Sequence, residues 1–137
     1  MVPKLTLLID ESGDQGLDRV MTHDNPFGAS SYLTMGAVLV PSINLPKIRK
    51  DLELMRGKID AKELHCTDLS HGQVAFCARE VKKLRMLAFG VISKKSTIGD
   101  YRKSIEGEKQ AQDYYNKCAQ YLFELVGAYV GKKELGA

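Results

Sequence analysis

The sequence has few cysteines and no long hydrophobic run. Its three cysteines, Cys66, Cys77 and Cys118, are an odd number and lie far apart. They therefore indicate free thiols in a reducing compartment and not a disulfide scaffold. No stretch approaches the roughly 20 apolar residues that a membrane helix requires. Acidic residues follow the short N-terminal apolar run at once, which is unlike a signal peptide. We expect a cytoplasmic protein with no membrane partner.

A second absence concerns nucleotide hydrolysis. An apolar run that ends in Asp10 and Glu11 is of the Walker B type, but the chain has no G-x-x-x-x-G-K-[ST] loop to bind phosphates. The nine residues before Asp10 also leave no room for such a loop. Zinc is not favoured either, since the cysteines and histidines form no CxxC or HxxxH pair.

The size of the chain is that of a single globular domain, and its net charge does not identify a class of partner. The chain has 137 residues, of which 44% are hydrophobic, and a net charge of +3 at pH 7. This charge permits a nucleic-acid partner without arguing for one. Short basic clusters such as Lys94 and Lys95 are usually solvated faces, although in a nuclease they would suit phosphate contacts.

The hydrophobic pattern predicts a mixed α/β domain. The run Leu5 to Ile9 is continuously apolar, which is typical of a strand buried on both faces. Residues 14–31 read as a long polar loop, and residues 63–66 as either a short strand or a loop. We predict further strands over 32–40 and 86–92, and helices over 45–55, after Ser70, and over 110–130. The predicted order is β, β, α, short β, α, β, α.

Two interpretations fit the carboxylates at the end of the first strand. In one, Asp10 belongs to a metal site of the kind that activates phosphoryl transfer, because Mg²⁺ and Mn²⁺ prefer oxygen ligands. In the other, the acids and the following Ser-Gly form a turn. Successive strand residues point to opposite faces, so Asp10 and Glu11 would serve different sides.

A second polar stretch contains Glu63, His65 and Asp68. In an extended segment, Glu63 and His65 would lie on the same face. A glutamate and a histidine in this arrangement could bind a metal, or the histidine could transfer protons or position a phosphate. The alternative is a surface loop with an ordinary hydrogen-bonded histidine.

Taken together, four stretches resemble the DUF3800 family, a domain of unknown function with an RNase H-like fold. They are, in chain order, "LLIDESGDQG", "SSYLTMGAVLV", "KELHCTDL" and "MLAFGVIS". The resemblance implies a single domain over residues 1–137, with an RNase H-like mixed sheet flanked by helices. Members of the family usually add a C-terminal strand and an aspartate. Nothing after Tyr129 matches that part, so we expect a domain that lacks it.

The resemblance also implies a site and an activity. Asp10 would be the first metal ligand and Glu63 a second acid, with His65 assisting, while Glu11 and Asp14 match further acidic positions. The implied function is Mg²⁺- or Mn²⁺-dependent cleavage of DNA or RNA. The alternative is a catalytically inactive RNase H-like module that binds nucleic acid or a protein.

The last predicted helix suggests a further partner. Its tyrosine and leucine positions, among them Tyr121 and Leu125, form an apolar face. Such a face could pair two copies of the chain as a homodimer.

Overall fold

The computed structural model describes residues 3–135. The chain is mixed α/β, with a three-stranded antiparallel sheet and four α-helices. The strands are β1 (Leu5–Ser12), β2 (Tyr32–Pro41) and β3 (Leu87–Lys94). The helices are α1 (Leu45–Lys58), α2 (His71–Val81), α3 (Asp100–Ser104) and α4 (Gln110–Leu135). Single 3-10 turns lie at Ser42–Asn44, Cys66–Asp68 and Lys95–Thr97.

The predicted α/β class is confirmed, and the details of the sheet differ. The strand order is β1-β2-β3, so β1 and β3 lie at the two edges. A mixed sheet was expected, but the strands that the structure describes are antiparallel. For residues 63–66 we considered a short strand or a loop, and the structure shows no strand there. This segment leads into the Cys66–Asp68 turn. The RNase H-like arrangement stays a prediction, since three strands make a small sheet.

The prediction that the first strand is buried on both faces is wrong. Leu5, Leu8 and Ile9 are 41%, 52% and 41% exposed. In the described sheet β1 is an edge strand paired with β2 alone, and the elements packed on its faces leave these side chains partly uncovered. The strand also runs three residues beyond Ile9, through Ser12, because backbone pairing continues after the apolar side chains end.

The described chain divides into two compact units. One comprises the residues up to Leu7 together with Leu39–Leu87, and the other comprises Leu8–Val38 together with the residues from Ala88 onward. The first unit contains α1 and α2, which contact each other. Helix α2 begins directly after Ser70 as predicted, because Ser70 Oγ accepts from the Gln73 amide at 3.3 Å and the Gln73 side chain accepts from the Ser70 amide at 2.8 Å.

The core of the second unit is built from alternate residues of β2 and from one stripe of α4. On β2, Leu33, Met35 and Ala37 are buried, as the two-residue period of a strand requires. On α4, the buried residues recur every four positions, at Tyr114, Cys118, Leu122 and Val126.

Two aromatic contacts join α4 to β3 within this unit. The Tyr114 hydroxyl donates to Ser93 Oγ at 2.7 Å, which satisfies its polar end inside the core. The rings of Phe89 and Tyr129 meet edge to face, with centroids 5.6 Å apart.

Among residues 3–135, none of the helices combines the length and apolarity that crossing a membrane requires.

Candidate functional site

The end of β1 presents two exposed carboxylates. Asp10 Oδ1 accepts one hydrogen bond, from the Glu11 amide at 2.9 Å. Within the described chain, no other hydrogen bond or ion pair engages either carboxylate. Gly36 lies beside Asp10 on β2, so no side chain from that position covers the aspartate backbone. Both acids therefore keep oxygen lone pairs available to a ligand.

Asp14, in contrast, is fully engaged by the loop that follows β1. Its Oδ1 accepts from the Gly16 amide at 2.9 Å, and its Oδ2 accepts from the Ser30 amide at 2.8 Å. The Ser30 hydroxyl in turn accepts a hydrogen bond from the Asp14 amide at 2.9 Å and donates one to the Tyr32 carbonyl at 2.8 Å. These bonds join the two ends of the 14–31 loop. The contacts favour a loop-organising role for Asp14, and its predicted role as a metal ligand stays untested.

Lys95 completes this cluster from the end of β3. Its Nζ lies 3.2 Å from Asp14 Oδ1 and 3.4 Å from Ser30 Oγ, and its side chain is 1% exposed. The interpretation of Lys95 as part of a solvated basic face is therefore wrong. The structure explains the burial of Lys95, because Phe89, Val91 and Ser93 are the half-buried positions of β3 and Lys95 continues their two-residue spacing.

The environment of Asp14 lowers its pKa. The largest cause is the hydrogen bond from the Ser30 amide, which favours the charged carboxylate. Partial burial opposes this effect, and the Lys95 ammonium and the Gly16 amide reinforce it. Asp14 thus stays ionised below its ordinary pKa of 3.8.

This lowered pKa gives a pH-dependent contribution to stability. The ionised Asp14 stabilises the fold fully above the unfolded-state pKa, and that stabilisation is lost as the pH falls through the lower folded-state pKa. We expect Asp14→Asn to lower the unfolding midpoint at pH 7 and to flatten its decline between about pH 5 and pH 2. Thermal unfolding followed by circular dichroism checks this. Asp24→Asn, in the same loop but with its side chain 98% exposed, is the control and should follow the wild type. Equal declines in Asp14→Asn and wild type would contradict the role of the Asp14 cluster.

In the first unit, the second polar stretch forms a smaller constellation. The Cys66–Asp68 turn brings His65 Nδ1 to 3.2 Å from Asp68 Oδ2, with both side chains exposed. Glu63 and Asp68 line one surface pocket together with Lys62 and Gln73. An exposed pair of this kind adds little stability, so it is available for chemistry.

The donor atoms fit a hard divalent cation in kind. Asp10, Glu11 and Glu63 offer carboxylate oxygens, which Mg²⁺ and Mn²⁺ prefer. Between residues 3 and 135, however, no three or more histidine, cysteine or acidic side chains are grouped as a metal site would need. Metal binding by Asp10, Glu11, Asp14 and Glu63 therefore stays a prediction.

Comparison of the chain with protein families, with curated proteins and with solved structures finds no match. The likeness to the DUF3800 family thus rests on the four sequence stretches alone.

Proposed function

We propose that this chain is a divalent-metal-dependent nuclease of the RNase H-like type, related to the DUF3800 family. The observation that carries the proposal is Asp10, an exposed carboxylate with one local hydrogen bond, held on a strand whose backbone is paired. A rigid strand positions a ligand better than a loop does. An exposed acid with free lone pairs has no evident structural task at this place.

The roles follow the family pattern. Asp10 would hold the metal ion, Glu63 would act as a second acid, and His65, oriented by Asp68, would move a proton. A bound Mg²⁺ or Mn²⁺ would supply charge stabilisation to the phosphoryl oxygens and activate water. Glu11 points to the other face of β1 and is a weaker candidate. Asp14 would keep the adjacent loop in place through Ser30 and Lys95.

The test combines a metal titration with a cleavage assay. We expect Mn²⁺ and Mg²⁺ to raise the unfolding midpoint of the wild type, since a ligand at 100 times its dissociation constant adds about 2.7 kcal/mol to the folded state. Asp10→Asn and Glu63→Gln should lose the metal response and lose at least about 100-fold of metal-dependent cleavage of single- or double-stranded DNA or RNA.

Glu106→Gln is the matched control, because Glu106 is exposed and distant in sequence from both polar stretches. It should keep both the metal response and the cleavage. Metal-dependent cleavage that survives in Asp10→Asn would refute the assigned role of this residue. A wild type with neither response would leave the nuclease proposal without support.

A second candidate is a non-catalytic binding module, which an open groove in the second unit favours. Leu8, Asp10, Gly36 and Ala88 are among the residues that line this groove, and its walls are mainly apolar. Such a surface suits a partner that is held and not cleaved. This candidate predicts binding to nucleic acid or to a protein, measured by fluorescence anisotropy, that is indifferent to EDTA and to Asp10→Asn.

A further inference from the structure

The free edge of β1 has a defined hydrogen-bonding register. The Ser42 amide donates to the Lys4 carbonyl at 2.8 Å. In an antiparallel pair, the backbone groups of alternate residues point toward the partner strand and those of the residues between point away. The amides and carbonyls of Leu5, Leu7 and Ile9 therefore point away from β2, toward the outer edge of the sheet.

The central part of this edge lacks the usual protection against pairing, because its charged residues, Lys4, Asp10 and Glu11, lie only toward its two ends. Edge strands of soluble proteins normally carry charged side chains, proline or a bulge. The segment Leu5–Ile9 contains no charged residue and no proline, and Leu5, Leu8 and Ile9 are all exposed. Its composition is that of an interior strand, while its place in the sheet is at the edge.

We propose that β1 pairs with β1 of a second copy of this chain, antiparallel and centred on Leu7. A two-fold axis perpendicular to the sheet keeps the same face of the sheet upward in both copies. Each residue must therefore stand opposite a residue whose side chain lies on the same face. With Leu7 opposite Leu7, Leu5 meets Ile9 and their outward backbone groups bond in both directions. The same register sets Lys4 opposite Asp10, which pairs opposite charges twice in the dimer.

Neighbouring registers lose this complementarity. Centring on Leu8 would place Lys4 opposite Ser12 and Leu5 opposite Glu11. Centring on Thr6 would place Lys4 opposite Leu8 and leave Asp10 beyond the paired segment. The charges of Lys4 and Asp10 thus select the second copy as occupant and fix its register.

The dimer does not depend on nuclease activity, but it bears on the candidate site. Each Asp10 would have Lys4 of the second copy as its cross-strand neighbour. A cation at that place attracts a phosphate group and competes with a metal ion for the same carboxylate.

Sedimentation of the wild type over a range of concentrations is the first experiment. We expect association toward twice the chain mass of 15.2 kDa. Lys4→Glu sets two acids opposite each other at both ends of the interface and should raise the dissociation constant at least about tenfold. The double variant with Lys4→Glu and Asp10→Lys restores opposite charges and should recover most of the affinity.

The control is Lys50→Glu, which makes the same charge change at an exposed residue of α1. This variant should dimerise like the wild type. Circular dichroism establishes that each variant is folded. A monomeric wild type at every concentration would overturn the proposal, as would a dimer that Lys4→Glu leaves intact. A dimer that Tyr121→Glu dissociates and Lys4→Glu does not would assign the interface to α4 instead.

Discussion

Replacing Gly13 by alanine should destabilise the protein by about 3 kcal/mol. Gly13 has φ +88°, a conformation that residues with a side chain rarely adopt. A Cβ at this position would lie 2.2 Å from the Tyr32 carbonyl oxygen and 2.8 Å from Ser30 Oγ. Because the first of these atoms is backbone, relief requires the loop between β1 and β2 to move. Urea denaturation of the purified variant measures the change in unfolding free energy.

Gly72→Ala is the matched control for this substitution. Gly72 lies in α2, and an added Cβ would meet no atom within 4 Å. Alanine is the better helix former, so this variant should gain up to about 1 kcal/mol. If Gly13→Ala behaved like Gly72→Ala, the tight turn after the Asp-Glu-Ser segment would not be required for folding.

Leu122→Ala should cost about 3–5 kcal/mol of unfolding free energy. Leu122 has no exposed surface and sits in the middle of the buried stripe of α4. Its truncation removes apolar contacts and leaves a cavity that packed neighbours fill only in part. Thermal and urea unfolding of the same preparation give the change.

Leu125→Ala makes the same chemical change three residues further along α4. Leu125 is 49% exposed, so its truncation should cost less than half as much. A cost for Leu125→Ala equal to that of Leu122→Ala would mean that Leu125 is covered in solution. The dimer through α4 that the sequence predicts would then gain support.

The parts of the fold that the sequence predicts are those with a local cause. Helix α4 starts at Gln110 as predicted because its apolar residues keep a helical period over many turns. Helix α2 starts after Ser70 because the capping groups lie within three residues of each other. The burial of β1 could not be predicted in this way, because an apolar run specifies affinity for a covering surface and not its presence.

In the candidate site too, the sequence predicts the features that have a local cause and not those that depend on distant residues. The exposed strand end with Asp10 and Glu11 follows from the motif, and so does the proximity of His65 to Asp68, three residues apart. The partner of Asp14 does not follow. Lys95 lies 81 residues away and belongs to a lysine pair that reads as solvated. Only the placement of β3 in the sheet turns one lysine inward.

The bond between Asp14 and Lys95 also orders events during folding. A hairpin of β1 and β2 can form from neighbouring sequence, but the 14–31 loop receives its ammonium partner only after the chain has closed over 81 residues. Closing so long a segment is entropically costly and slow compared with local pairing. We therefore expect the 14–31 loop to gain its final shape late, after β3 has paired with β2. On a growing chain, we expect the cluster of Asp14, Ser30 and Lys95 to form only once residue 95 has left the ribosome.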